Sequence, residues 1–342
     1  MPVLFPNNKY SVSKSIVMKK LTTLSIALLF STGAAFAQSN EATATQEVNN
    51  SEITIDQAGS SNSADALQTL GNDNMLINIE QQGSGNEAGV TQQYGQWHEA
   101  QIDQVGSGNV LDLLQDNTST LATVSQSGDD NTADIYQRNY RFTFGTYSSS
   151  VALTQTGDRN IADIDMDGFG NNSSVTQAGD DNVAAVIQDG DDNSATQRMT
   201  SGDDNTITQE QYGSSNASGI ETWGDDNTYT SIQDGTGNAL FLNARGTGSG
   251  FSNGGGNDGN TLIATQDGSS NVIGAGIDGS DNTVTLTQMG NGNIITGGVS
   301  RWDAEGLRIV GDGNTATITQ MTDGNSAVIN VAGNNNTATI SQ

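Results

Sequence analysis

The chain has no cysteine, so neither disulfides nor thiolate metal sites can hold it together. It has one histidine, His98, and its four lysines (Lys9, Lys14, Lys19, Lys20) all fall within the first 37 residues. Beyond them the cations are seven arginines against 39 Asp and Glu; the whole chain carries −28, and residues 38–342 carry 7 − 39 = −32. Such an excess repels nucleic acid and anionic lipid, so no nucleic-acid partner is expected. Hydrophobic residues make up only 33% of 342, too little apolar area for a globular core of that size. The interior must therefore be partly polar. Asn and Gln can fill it provided each amide bonds to a neighbour.

The same scarcity argues against catalysis. Two carboxylates can cleave a glycoside, but Asp-rich turns repeated along the whole chain single out no pair. Without Cys, without Lys after residue 37 and with one His, no enzyme activity and no cofactor are expected.

The start reads as an address. Met18-Lys19-Lys20, the apolar run from Leu21 to Phe30 and Ala35-Phe36-Ala37 give the positive, apolar and small-x-small regions of a secretory signal peptide over residues 1–37. Met18 is a plausible true start. The run is too short to span a bilayer, so no membrane span is expected after cleavage. Residues 38–50 are polar and read as a flexible lead.

From residue 51 to 342 one pattern recurs. Its fullest copy is Gln81-Gln82-Gly83-Ser84-Gly85-Asn86-Glu87-Ala88-Gly89-Val90-Thr91-Gln92, and its unit is Asn-x-Φ-x-Φ-x-Gln-x-Gly-x-x with Φ aliphatic. The alternation is that of a strand. The Gly-x-x is turn chemistry, since Gly supplies positive φ and Asp or Asn tolerates it. Each unit of about eleven residues is thus one strand and one turn. The fold class expected is all-β: a β-solenoid of strand–turn–strand coils of about 22 residues, with parallel in-register strands stacked about 4.8 Å apart.

Stacking places like on like. Amide ladders are expected at Gln57, Asn62, Gln68, Gln81, Asn86, Gln92, Gln104, Asn109, Gln126, Asn131, Gln137, Gln177, Asn182, Gln188, Gln320, Asn336 and Gln342, with turn glycines at Gly59, Gly83, Gly106, Gly128 and Gly179. Three segments break the rhythm: Arg138 to Ser150, with Tyr140, Phe142, Phe144 and Tyr147; Asn243 to Asp258, which keeps the spacing but loses the pattern; and Gly297 to Ile309, about one residue short and bearing Asp303 and Glu305. All three read as bulged or loosened turns.

Ser51-x5-Gln57-x-Gly59-x2-Asn62-x-Ala64-x3-Gln68 and Gln126-x-Gly128-x2-Asn131-x-Ala133-x3-Gln137 resemble the curlin repeat, and with its leader the chain resembles the curlin subunits of bacterial curli fibres. That resemblance implies a secreted protein, exported unfolded through an outer-membrane pore. It implies assembly with itself and other curlin subunits into extracellular amyloid of the biofilm matrix or cell surface, by templating at solenoid ends. His98 stands in an Asn slot, and Met166 and Thr222 in Gln slots; His98 reads as an amide substitute.

Turns two units apart fall on one edge. If the Arg138–Ser150 segment adds no coil, Asp129, Asp130, Asp158, Asp180, Asp181, Asp203, Asp204, Asp225 and Asp226 line up, with Arg159 among them. Such an edge keeps the chain soluble and discourages lateral pairing, or serves as a weak Ca²⁺-binding or pH-sensing edge. A calcium β-roll is disfavoured, because its Gly-Gly-x-Gly-x-Asp nonapeptide is absent. An adhesin, a nucleator and an ice- or surface-binding solenoid are the alternatives to a fibre subunit. The ice or surface binder wants regular Thr-x-Thr rows on one face; Thr283, Thr285, Thr287 and Thr315, Thr317, Thr319 supply rows, but the sequence spacing makes them irregular from coil to coil. Trp223 and Trp302 lie in or near turns, where exposed rings could stack on sugars.

Overall fold

The computed structural model describes residues 26–29, 39–71, 74–140, 149–244, 257–295 and 306–342. The small-x-small site at Ala35-Phe36-Ala37, the aromatics Phe142, Phe144 and Tyr147, and Trp302, Asp303 and Glu305 lie outside those residues.

Alternation dictates the architecture. In the strand Leu76–Ser84 the side chains of Ile77, Ile79 and Gln81 point inward and those between them outward. The chain turns at Gly85, runs through Glu87–Gln93 with Ala88, Val90 and Gln92 inward, turns again and returns as Glu99–Ser107 directly against Leu76–Ser84. Repeating this makes two parallel sheets, one of 14 strands and one of 13, that face each other across a narrow core. The first sheet contains Glu52–Ser60 and the second opens with Glu41–Gln46. At the N-terminal margin Ile26–Leu29, from the expected leader, pairs with Ile53–Asp56.

The core is an aliphatic column flanked by amides, interrupted where Gln197, Gln209, Ser218 and Ser231 take the aliphatic slots. A typical coil puts Ile77, Ile79, Ala88 and Val90 at 0–1% exposure. A fully buried Ile is worth roughly 1.5–3 kcal/mol, but the Ala in many of these slots, as at Ala64, Ala66, Ala88 and Ala100, contributes less. Most of the remaining interior positions hold hydrogen-bonded amides.

The turns explain the glycines. Gly83 has φ +122°, and a Cβ there would lie 1.9 Å from the carbonyl oxygen of Gly106 in the next coil. In-register stacking and an L side chain are incompatible at that point.

The array begins earlier than its sequence pattern suggests. Asn40, Ala42, Ala44 and Gln46 fit the repeat unit, and Glu41–Gln46 pairs in register with Ser63–Gln68. The expected flexible lead over residues 38–50 is therefore corrected from Asn40 to Gln46. Two small alanines in the aliphatic slots hide the signal.

Two of the rhythm breaks shift the register in ways that spacing does not show, and the later of them departs from the expected turn. Gln233 and Gln266 are ladder neighbours 33 residues apart, against 22 for Gln266 and Gln288. The register thus steps by an extra 33 − 22 = 11 residues between the first-sheet strand Ala239–Ala244 and the second-sheet strand Thr261–Ser269. That stretch of Gly and Ser offers nothing aliphatic for inward slots. The later break does not separate a strand of one sheet from a strand of the other. It falls inside a first-sheet strand, where Ile294–Ile295 pairs with Val272–Ile273 and Leu307–Val310 with Ala275–Asp278. Gln288 and Gln320 are ladder neighbours 32 apart. With the register counted across both steps, threonines that look irregular in sequence come into line. The first break does sit at a turn: Asn139 ends a second-sheet strand, Ser149 opens a first-sheet strand, and Gln126 meets Gln155.

Candidate functional site

The surfaces able to act are the ladders, their two ends and the turn edges. In the second sheet the amide of Gln46 donates to Gln68 at 3.1 Å, Gln68 to Gln92 at 3.0 Å, Gln92 to Gln115 at 2.8 Å and Gln115 to Gln137 at 3.0 Å. From Gln68 to Gln115 each Nε2 also donates across the core to a backbone carbonyl of the facing sheet, as Gln92 does to Leu76. Both amide hydrogens are thus used, which removes the cost of burying them. The ladder breaks at Met166, resumes at Gln188 and runs to Gln320 and Gln342.

The first-sheet ladder is shorter. Gln57, Gln81, Gln104, Gln126, Gln155 and Gln177 are linked at 2.7–2.9 Å. The next slots in register hold Met199, Thr222, Ala244, Ile277, Ile309 and Val331. Thr222 is thus one member of an apolar-leaning run, a half-chain change that the sequence pattern understates.

The asparagines form a third ladder with the opposite sense. The backbone N–H and Nδ2 of Asn86 both donate back to Oδ1 of Asn62, and Asn109 repeats this on Asn86. Asn131 and Asn336 keep both bonds, and Asn182 keeps the backbone one. Nδ2 also holds the next turn, as Asn109 does on the carbonyl of Gly128 at 2.8 Å. Gln therefore donates toward the C-terminus and Asn toward the N-terminus.

His98 lies in the equivalent slot of the other edge, buried between Met75 and Thr120. The carbonyl of Asn117, 2.7 Å from Nε2, can only accept, so Nε2 carries the hydrogen. Nδ1 then accepts from the Thr120 hydroxyl at 2.8 Å. Burial lowers its pKa to about 4 despite the backbone hydrogen bonds.

The aspartates expected on one edge are brought together. Gly128, Gly157, Gly179, Gly202 and Gly224 stack in consecutive coils, and the turn Asn257-Asp258-Gly259 follows them. Each first Asp bonds to the coil before it: Oδ1 of Asp158, Asp180, Asp203, Asp225 and Asp258 accepts from the backbone N–H of Asp129, Asp158, Asp180, Asp203 and Asp225 at 2.7–3.0 Å. Asp130, Asp181, Asp204 and Asp226 occupy the left-handed position, φ 57–59°. Ser107 hydrogen bonds hold Asp129 below the usual carboxylate range, and the Arg159 guanidinium does so for Asp181. Local desolvation and the Asp181 and Asp226 charges push Asp204 up. Among the described residues no three His, Asp or Glu side chains converge as a metal site, and no helix is long and apolar enough to cross a membrane. Trp223 is 43% exposed beside this edge.

The curlin associated repeat matches at residues 49–77, 76–106, 148–179, 174–196 and 311–342. No curated protein matches the chain. Between the matched segments the same ladders and turns continue, through Asn109 and Gln137 in one gap and Gln211 to Gln288 in another. Five matched repeats, set in one unbroken parallel stack, make this chain a curlin-repeat protein.

Proposed function

We propose that residues 38–342 are a secreted, non-catalytic structural subunit of curli-like extracellular fibres, passed through an outer-membrane pore and polymerising end to end. The supporting observation is the polarity of the ladders. At the C-terminal end Gln342 directs an amide hydrogen outward and Asn336 an acceptor oxygen; at the N-terminal end Gln46 offers a carbonyl oxygen and Asn40 its N–H donors. A second copy docked head to tail pairs donor with acceptor in both ladders. Two like ends would set donor against donor. Unpaired strand edges add a backbone template.

The test is electron microscopy and fibre diffraction on residues 38–342 after removal of denaturant. Unbranched fibres with reflections near 4.7 Å and 10 Å are expected. Soluble monomers at high concentration would overturn the reading.

A further inference from the structure

We propose that the outer face of the second sheet, over its C-terminal coils, is an ice-binding surface. Thr206, Thr228, Thr261, Thr283, Thr315 and Thr337 are mutually in register in six consecutive coils. Two residues along each strand, the next column reads Thr208, Thr230, Ile263, Thr285, Thr317 and Thr339. In the last three coils a further column adds Thr287, Thr319 and Ser341. These side chains are half-buried or exposed on the solvent side.

The geometry has the regularity that a crystal of water demands. Coils repeat at about 4.8 Å along the stack and like-facing residues at about 6.7 Å along the strand, a rectangular net close to the oxygen spacings of a prism face of hexagonal ice. Threonine is stiff at χ1, so hydroxyl and methyl positions repeat from coil to coil. The hydroxyl both donates and accepts, as a lattice water does, while the methyl groups order the water between rows. Side-chain ladders such as the Gln ladder beneath this face are a means by which long sheets resist twisting.

Charge sharpens the assignment. From Thr228 to Ser341 these columns hold no charged residue, the carboxylates Asp234 and Asp267 standing only in the adjoining column, in a chain with 39 Asp and Glu. The same face further N-terminal stacks Asp112, Asp134 and Asp163. The columns also carry no aromatic ring for a sugar to stack on and no cation for an anionic polymer. A neutral lattice is the partner that fits. The inference holds for a single chain or for one built into a fibre, since the face lies along the stack and not at its ends.

The experiment grows ice slowly from a dilute solution of the full chain and measures protein in the ice against the remaining liquid. Enrichment in ice is expected, with its loss in Thr285→Tyr and a reduction in the near-isosteric Thr317→Val. Thr154→Tyr, on the exposed face of the first sheet, should match the parent chain. Exclusion of the parent chain from ice overturns the proposal, as does undiminished enrichment of Thr317→Val. If Thr285→Tyr proves misfolded by circular dichroism, Thr317→Val decides. Enrichment that Thr154→Tyr abolishes equally would also overturn it, since that marks entrapment without a preferred face.

Discussion

Gln188 faces Met166 across one coil step, and its buried side-chain oxygen has no hydrogen-bond partner. On the other side of Met166 lies Gln137, whose Nε2 bonds to the backbone of Leu121 but has no amide ahead of it in the next coil. One thioether thus interrupts a ladder that otherwise runs from Gln46 to Gln342. Met166→Gln, of similar length and flexibility, should restore both bonds. An unsatisfied buried acceptor costs about 1–3 kcal/mol, so a gain of about 1–2 kcal/mol in the denaturation midpoint of unassembled protein is expected. An unchanged or lowered midpoint would show that the ladder is not a source of stability.

His98 should make the N-terminal coils acid-sensitive. Its folded pKa of about 4 lies below the unfolded value of 6.5. The unfolded chain therefore binds the extra proton between those values, and stability contributed by neutral His98 is present above pH 6.5 and lost as pH falls toward 4. The loss is on the order of 3 kcal/mol. His98→Asn, which restores the repeat's amide, should flatten stability over that window and change little at pH 7.5. Parallel pH profiles for the two chains would remove His98 from the account.

The turn glycines should divide into two classes. A Cβ at Gly106, φ +123°, would lie 2.0 Å from the carbonyl oxygen of Gly128; at Gly292, φ +65°, it would meet nothing within 4 Å. Gly292→Ala should cost only about 1 kcal/mol, the price of a left-handed L residue. Gly106→Ala must separate two coils and should cost more than about 3 kcal/mol. Equal thermal shifts would mean that the stack tolerates local widening.

Much of this fold was legible because identity of neighbours is what an in-register stack requires. The alternation, the Gly turns and the slots of Gln57, Asn62 and Gln68 follow directly from it, and even His98 lies where the repeat places an amide. What could not be read was which residues stay in the stack. The segment after Ala244 has the length of a unit without its inward side chains, so spacing alone counts it as a coil. That step and the one after Ile295 are why the threonines look scattered in sequence. The terminus of the first-sheet Gln ladder at Gln177 was hidden for another reason: Met199, Ala244 and Ile277 fit the same slot by shape, without the hydrogen bonds.

Acid should act on assembly with an optimum. Burial and neighbouring carboxylates raise Asp112 and Asp165, and Asp204 is raised in the turn column. A raised folded pKa means that the folded stack takes the proton more readily, so these groups favour it increasingly as pH falls through their values. Asp129 and Asp181 are lowered; their contribution is present above the ordinary 3.8 and lost as pH falls through the lower values. In the His98→Asn background, assembly should speed up from pH 7 toward about pH 4 and fall off below it. Ca²⁺ should speed assembly only as far as Mg²⁺ does at equal ionic strength, because the carboxylates are strung along the edge and each first Asp is already tied to a backbone N–H. A selective Ca²⁺ response would establish a metal edge instead.

The joint between copies should depend on the second sheet more than the first. Its ladder reaches both ends, so Gln342 of one copy can donate to Gln46 of the next. In the first sheet the terminal slot holds Val331, which a joint would set against Gln57, an apolar group against an amide. Specific recognition therefore rests on Gln342. Within its own chain the Gln342 side chain accepts from Gln320 at 3.0 Å and donates to the Ser326 carbonyl at 3.2 Å. Gln342→Leu should therefore lower the thermal midpoint of unassembled protein modestly, so seeded growth is compared at a temperature where both chains are folded. In a joint the same change removes one amide hydrogen bond and leaves the Gln46 oxygen unpaired, about 1 kcal/mol or roughly fivefold in seeded growth rate. Val331→Ala, which deletes no hydrogen bond, should slow growth less. Growth insensitive to Gln342→Leu but sensitive to Val331→Ala would place the selective contact in the first sheet and reverse this assignment.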